Sequence, residues 1–203
     1  QAGEFGSEPV TWPAQRDDAK AAVRWLRAHA ADLNIQSNAF VVWGLSAGGH
    51  LAASLALTND APGTTGSVGD WPQISSAVQL GVNFYGPSDL LRLDLDVTTP
   101  PGSTLVHEVP GSPESLLLRW QETGISMGEI LDNETSSEAP WPELVGLAHD
   151  ASPMLAVQPA HAVPLLIAHG TMDTVIAYPQ SVKDRKSTRL NSSHTVISYA
   201  VFC

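Results

Sequence analysis

Apolar residues along this chain recur with two different periods, and the switches between them mark its elements. Ala19, Ala22, Val23, Leu26, Ala30 and Leu33 fall at helical spacing, with Arg16, Asp17, Lys20, Arg24 and Arg27 largely between them. This predicts an amphipathic helix from Ala14 to near Asn34, its charged residues turned to solvent. Ile35 to Asn38 is a short turn. A β-type apolar run, Ala39 to Trp43, then breaks into small residues and resumes as Ala47 to Leu57, which is apolar on nearly every side. The pattern predicts a strand, a tight turn and a helix sandwiched inside the molecule. Asn59 to Gln73, rich in Gly, Thr, Asp and Pro, is a surface loop, and Ile74 to Tyr85 alternates as a strand that Gly86-Pro87 stops. Leu91 to Leu147 is punctuated by Pro100-Pro101-Gly102, Pro110-Gly111 and Ala139-Pro140-Trp141-Pro142, with short helical pieces at Ser112 to Glu122 and Ile125 to Leu131. Val163 to Ala168 is a short β-rich run of the kind buried in parallel sheets.

The break after the first strand carries candidate chemistry. Gly44-Leu45-Ser46-Ala47-Gly48 is a G-x-S-x-G pentapeptide lying between a predicted strand and a predicted helix. In that context the two glycines leave room for a turn sharp enough to strain the serine and expose its hydroxyl. Ala47 opens the helix, so its N–H and the helix dipole face the place where an oxyanion would form. The bland alternative is an ordinary strand-to-helix turn. An acid follows in the required order: Asp173 ends a Gly-Thr-Met-Asp turn after the Leu165–Ala168 run. Asp89, after Gly86-Pro87, competes for that role and reads better as the cap of the next turn. Ser46 and Asp173 are expected at the carboxyl ends of neighbouring parallel strands, about one imidazole ring apart.

These segments resemble the α/β-hydrolase carboxylesterases, in particular the branch related to hormone-sensitive lipase and to acetyl-xylan and feruloyl esterases. Gly44 to Ala52 is similar to that family's nucleophile segment, and Trp12-Pro13-Ala14-Gln15 with Ala21 to Arg27 to the helix before it. Phe84-Tyr85-Gly86-Pro87-Ser88-Asp89-Leu90 resembles the strand end that follows, and Leu165 to Asp173 the strand that delivers the triad acid. The resemblance implies a three-layer α/β sandwich with a mostly parallel sheet, with 91–147 as a cap or lid insertion. It implies Ser46 as nucleophile, Asp173 as acid, and no cofactor or metal. Substrates would be small-molecule or carbohydrate-linked acyl esters. A prolyl-oligopeptidase-like peptidase is a second reading, although that group carries an aromatic residue where Ala47 stands. A non-catalytic binding domain is a third, and the retained Ser46 argues against it.

Both ends depart from the family pattern. The family places several strands and a His-Gly-Gly-type oxyanion loop ahead of the nucleophile, and no such run occurs here, so the fold is expected to be incomplete, without its N-terminal strands. Asp184 to His194 back-translates in one frame to a widely used sequencing-library adapter, and Ile197 to Cys203 continues it. Residues 184–203 are therefore read as a non-native tail appended to a partial hydrolase domain, 1–183, and are left out of the fold. The triad base should lie downstream of Asp173, and the one histidine there is His194, inside that tail. The C-terminal histidine segment is accordingly read as missing and the chain as inactive by itself. His50, one turn past Ser46, reads as packing, and His169 as locally hydrogen-bonded. His29, His107, His149 and His161 show no partner spacing and default to the surface.

Composition narrows the partners. The formal charge is −11, and the only cysteine, Cys203, falls in the tail. An acidic surface is a poor match for nucleic acid or anionic membranes. No apolar run approaches a membrane span.

Overall fold

A computed structural model describes residues 10–97, 105–191 and 199–202. Helix α1 (Ala14–Ala28) leads to strand β1 (Val41–Leu45), helix α2 (Ala47–Thr58) and strand β2 (Leu80–Phe84). A 3-10 turn (Leu90–Arg92) follows, then helices α3 (Pro113–Leu117), α4 (Trp120–Thr123), α5 (Met127–Asp132) and α6 (Trp141–Ala151). Strand β3 (Leu165–Gly170), helix α7 (Pro179–Asn191) and strand β4 (Tyr199–Phe202) complete the order. The four strands form one sheet in the order β1-β2-β3-β4, and every pair is parallel. This is the α/β architecture with a parallel sheet that the resemblance implies.

Small residues let α2 lie close on the sheet. A Cβ added at Gly81 of β2 would stand 2.6 Å from the Ala56 side chain and 2.7 Å from Leu165 Cδ1. Ala53, Ala56, Leu57, Leu165 and Ile167 bury together there. On the same face Asn83 reaches toward α7 through Asp184. The opposite face of β1 is open among the described residues: Val41, Trp43 and Leu45 are all exposed, Trp43 by 63%. A second core forms where Leu90, Leu91 and Leu93 meet Leu118, Met127, Ile130, Leu144 and Ala148. The stretch 105–151 thus folds into a helical layer with its own apolar interior.

One expectation is corrected here. The charged stripe of α1 faces inward: Arg16, Lys20 and Arg24 are buried, whereas Trp25 is exposed. Arg16 pairs with the Asp150 carboxylate at 2.9 Å, and the other two heads serve carbonyl and hydroxyl oxygens of the 58–68 segment. Lys20 Nζ donates to Thr64 Oγ1 (3.0 Å), Thr58 Oγ1 (3.3 Å) and the Asn59 carbonyl at the negative end of α2. Arg24 donates to the Thr65 and Val68 carbonyls at 2.6 and 2.7 Å. Burial lowers the Lys20 ammonium to about 8. Residues 184–191 form the second half of α7, and 199–202 form β4, which pairs with β3 from Ile167↔Tyr199 to Gly170↔Phe202.

Candidate functional site

The turn from β1 to α2 is strained at its centre. Ser46 has φ 52° and ψ −123°, a conformation that costs a side-chain-bearing residue about 1–3 kcal/mol. Two main-chain bonds hold it: the Ser46 N–H donates to the Phe84 carbonyl at 2.9 Å, and the Ser46 carbonyl accepts from the His50 N–H at 3.0 Å. Ser46 is the N-cap of α2, yet its hydroxyl does not cap the helix, and Ser46, Ala47 and Gly48 are all exposed. Ser46 therefore stands exposed at the positive end of the α2 dipole, next to Ala47, the first residue of the helix.

The glycines of the turn differ in what they permit. A Cβ at Gly44 would lie 2.1 Å from the Gly48 carbonyl oxygen, so strand and helix can meet only over a glycine. A Cβ at Gly48 meets nothing within 4 Å among the described residues. The tight second position is Gly49, where a Cβ would lie 2.5 Å from Asn83 Oδ1 and 2.9 Å from the Phe84 carbonyl. The assignment of Gly44 and Gly48 as the space-giving pair is corrected to Gly44 and Gly49. Asn83 is fully buried, and its Oδ1 also accepts from the Gly86 N–H at 2.8 Å, fastening the end of β2 beneath the turn.

Asp173 sits in the turn after β3, partly exposed. Its Oδ1 accepts from the Val175 and Ile176 N–H groups at 2.8 and 3.0 Å, which fixes the carboxylate in place. Ser46 and Asp173 follow the carboxyl ends of parallel strands, but these strands are not neighbours, because β2 stands between β1 and β3. Two strand spacings amount to about 10 Å, enough for an imidazole and two hydrogen bonds.

The competitor Asp89 is buried at the start of the 3-10 turn. Its side chain does not cap that turn as expected. It lies 3.7 Å from both Arg92 and Lys183, and burial raises its pKa despite these cations.

The histidines divide by environment. His50 is buried, its Nε2 2.6 Å from the Ala151 carbonyl and its ring edge-on to Trp12, so it packs behind the turn. His169 is buried with Nδ1 2.6 Å from Ser181 Oγ and Nε2 2.9 Å from the Ile176 carbonyl. Burial lowers its pKa. His107, assigned to the surface from sequence, is 1% exposed and joined to Glu114. His194 lies outside the described residues. No group of three or more His, Cys, Asp or Glu side chains converges as a metal site among the described residues, and no helix among them is long and apolar enough to cross a membrane.

Beside Ala47 opens a cavity of about 440 Å³, lined by Trp12, His50, Leu51, Leu90, Glu114 and Gln121 among others. Its walls are mainly apolar, with a carboxylate and amides at intervals. Trp120 and Trp141, the aromatic residues that open α4 and α6, do not line it; Trp120 stands 3.9 Å from the space beside Gly111. Sequence reasoning missed Asn83, His107 and Glu114. Asn83 alone left a sign, as a polar residue within an otherwise apolar strand.

The family model described as BD-FAE matches residues 6–187. Esterase LipQ of Mycobacterium tuberculosis is 27% identical over 194 residues, which is 96% of this chain and 38% of LipQ. A solved truncated form of a carbohydrate esterase from gut microbiota superimposes with a TM-score of 0.69 at 25% identity, covering 95% of this chain and 61% of that one. A bifunctional GH43-CE protein of Bacteroides eggerthii gives 0.68 at 27% identity, over 93% of this chain and 24% of the other. The chain thus spans less than two thirds of the length of these relatives. With its parallel sheet, its strained serine at the mouth of β1 and a family match across nearly all its length, the chain has the α/β-hydrolase fold and belongs to the BD-FAE family.

Proposed function

We infer that this chain carries the nucleophile and the acid of a serine carboxylic ester hydrolase, working through an acyl-serine intermediate on short-chain or carbohydrate-linked acyl esters. The observation that carries the reading is Ser46 at φ 52°, exposed, uncapping, and next to the first N–H of α2. Strain of this kind persists only where the surroundings enforce it, and it is spent here on aiming a hydroxyl. The Ser46 Oγ would attack the ester carbonyl, and the Ala47 N–H would donate to the resulting oxyanion. Asp173, held by two backbone donors, would orient the imidazole that takes the serine proton. Relatives named as esterases and carbohydrate esterases support the ester class and a sugar-linked alcohol.

Among the described residues no histidine is placed as that base. His169 has both ring nitrogens engaged. This chain by itself is therefore proposed to turn over esters poorly. The test is hydrolysis of a short-chain aryl ester by the chain beside Ser46→Ala and His194→Ala. Activity near background in all three fits the reading. Robust turnover lost in both variants would make His194 the base and would return residues 184–203 to the native protein.

A further inference from the structure

We propose that His107, clamped between Glu114 and the Val175 carbonyl, is a positioning residue that fixes the Asp173 turn to the wall of the cavity beside Ala47. The inference rests on Asp173 as the triad acid, while its test does not depend on turnover.

The connection is continuous in the structure. His107 Nδ1 lies 3.0 Å from Glu114 Oε2, and Nε2 lies 2.9 Å from the Val175 carbonyl oxygen. Val175 in turn donates its N–H to Asp173 Oδ1 at 2.8 Å. Glu114, on α3, lines the cavity. One imidazole therefore joins the pocket wall to the peptide unit next to the acid. The ring is itself held from behind. The Asp94 carboxylate accepts the N–H groups of His107 (2.8 Å) and Glu108 (2.9 Å), and Ser112 Oγ donates to the His107 carbonyl at 2.6 Å.

The chemistry of the ring makes this clamp depend on charge. Nε2 donates to the Val175 carbonyl, while Nδ1 meets Glu114 Oε2 as a close ion-pair contact out of hydrogen-bond alignment, so the imidazolium, which supplies both the donor and the positive charge, is the form that suits both partners. The groups facing it are consistent with that form: Glu114 from α3 and Asp94 from the segment after the 3-10 turn, both acidic, and the Val175 carbonyl from the acid turn. Burial alone would lower the pKa of His107, but the Glu114 carboxylate, helped by the Val175 carbonyl and Asp94, raises it above the ordinary value. Loss of the proton leaves a lone pair facing either the carboxylate or the carbonyl, and the acid turn loses an anchor.

Amide hydrogen exchange of this chain, read at Val175 and Ile176 against Ile167 in β3, tests the proposal. In His107→Phe the two turn amides should lose roughly tenfold more protection than Ile167, and His107→Gln, which keeps a donor for the Val175 carbonyl, should recover most of it. In the unsubstituted chain, protection of the turn, corrected for the intrinsic rate, should fall as pH rises through the raised pKa of His107. Glu114→Gln should shift that fall to lower pH. Turn amides that follow Ile167 in every variant, or a turn whose protection ignores pH, would overturn the proposal. Either result would leave the ester-hydrolase reading to be decided by its own assay.

Discussion

His169 Nε2 stands 3.4 Å from Asp173 Oδ2 and, at the same time, 2.9 Å from the Ile176 carbonyl oxygen. An N–H shared between those two acceptors puts the proton on Nε2, and Nδ1 then accepts from the Ser181 hydroxyl. A ring whose only lone pair is already occupied cannot take a proton from Ser46. His169 is thus a brace for the turn that carries the acid.

The brace should be visible in the pH dependence of stability. Burial holds the folded pKa of His169 below its unfolded value. The unfolded chain therefore binds the proton first, and stability is lost as pH falls from about 6.5 toward the folded pKa. Urea denaturation at pH 5 and 7.5 should show that the loss on acidification is smaller in His169→Gln than in the unsubstituted chain. An equal loss in both would mean that His169 does not titrate on unfolding.

Asp184 should show the opposite slope. It is fully buried on α7, and burial lifts its carboxyl to about 6 against the hydrogen bonds from Ser88 and Asn83. Its folded pKa lies above the unfolded one, so the folded chain holds the proton more tightly and stability falls as pH rises from about 4 to 6. Asp184→Asn is expected to stabilise the chain by roughly 1–3 kcal/mol at pH 7.5 and by little at pH 4. A variant no more stable at pH 7.5 would count against the burial cost.

The corrected glycine pair separates by substitution. Gly44→Ala and Gly49→Ala must push a Cβ into main chain at 2.1 Å and into Asn83 Oδ1 at 2.5 Å, so both should destabilise by more than about 4 kcal/mol or prevent folding. Gly48→Ala, in open space within the first turn of α2, should be neutral or stabilise by up to about 1 kcal/mol. Thermal melts of the three decide between Gly48 and Gly49.

Relief of strain at the nucleophile should likewise be measurable. Ser46→Gly removes the side chain from a left-handed φ and is expected to raise stability by about 1 kcal/mol, partly offset by unfolded-state entropy. Ser46→Ala keeps the Cβ and should not. Equal melting temperatures for the two would mean the turn is unstrained.

The open face of β1 predicts self-association. Val41, Trp43 and Leu45 form an exposed apolar row on the strand that ends the sheet among the described residues, with Trp43 bare over 63% of its surface. Sedimentation velocity should show concentration-dependent association that Trp43→Lys reduces, with little change in melting temperature.

How far the sequence reached can be seen residue by residue. The alternation of apolar period set β1, α2 and β3 within a few residues, because strand and helix periods are local properties of the chain. The G-x-S-x-G spacing placed the strained serine, since a strand entering a helix through that turn has few conformations open to it. The inward stripe of α1 was not legible. Arg16, Lys20 and Arg24 look solvent-facing in any local reading, and only partners brought alongside by folding, the Asp150 carboxylate for Arg16 and the hydroxyls and carbonyls of the 58–68 segment for Lys20 and Arg24, make burial of those cations favourable. Gly48 and Gly49 are equivalent in one dimension; the side chain of Asn83, from another strand, distinguishes them. His107 and Glu114 are seven residues apart with no motif between them, and their pairing across a buried contact, with Val175 on the far side of the ring, exists only once 105–118 is laid against the turn that carries Asp173. Local pattern decided which elements form and where the strained serine stands; long-range packing decided which polar groups are buried, because the partner that makes such burial tolerable is distant in the chain.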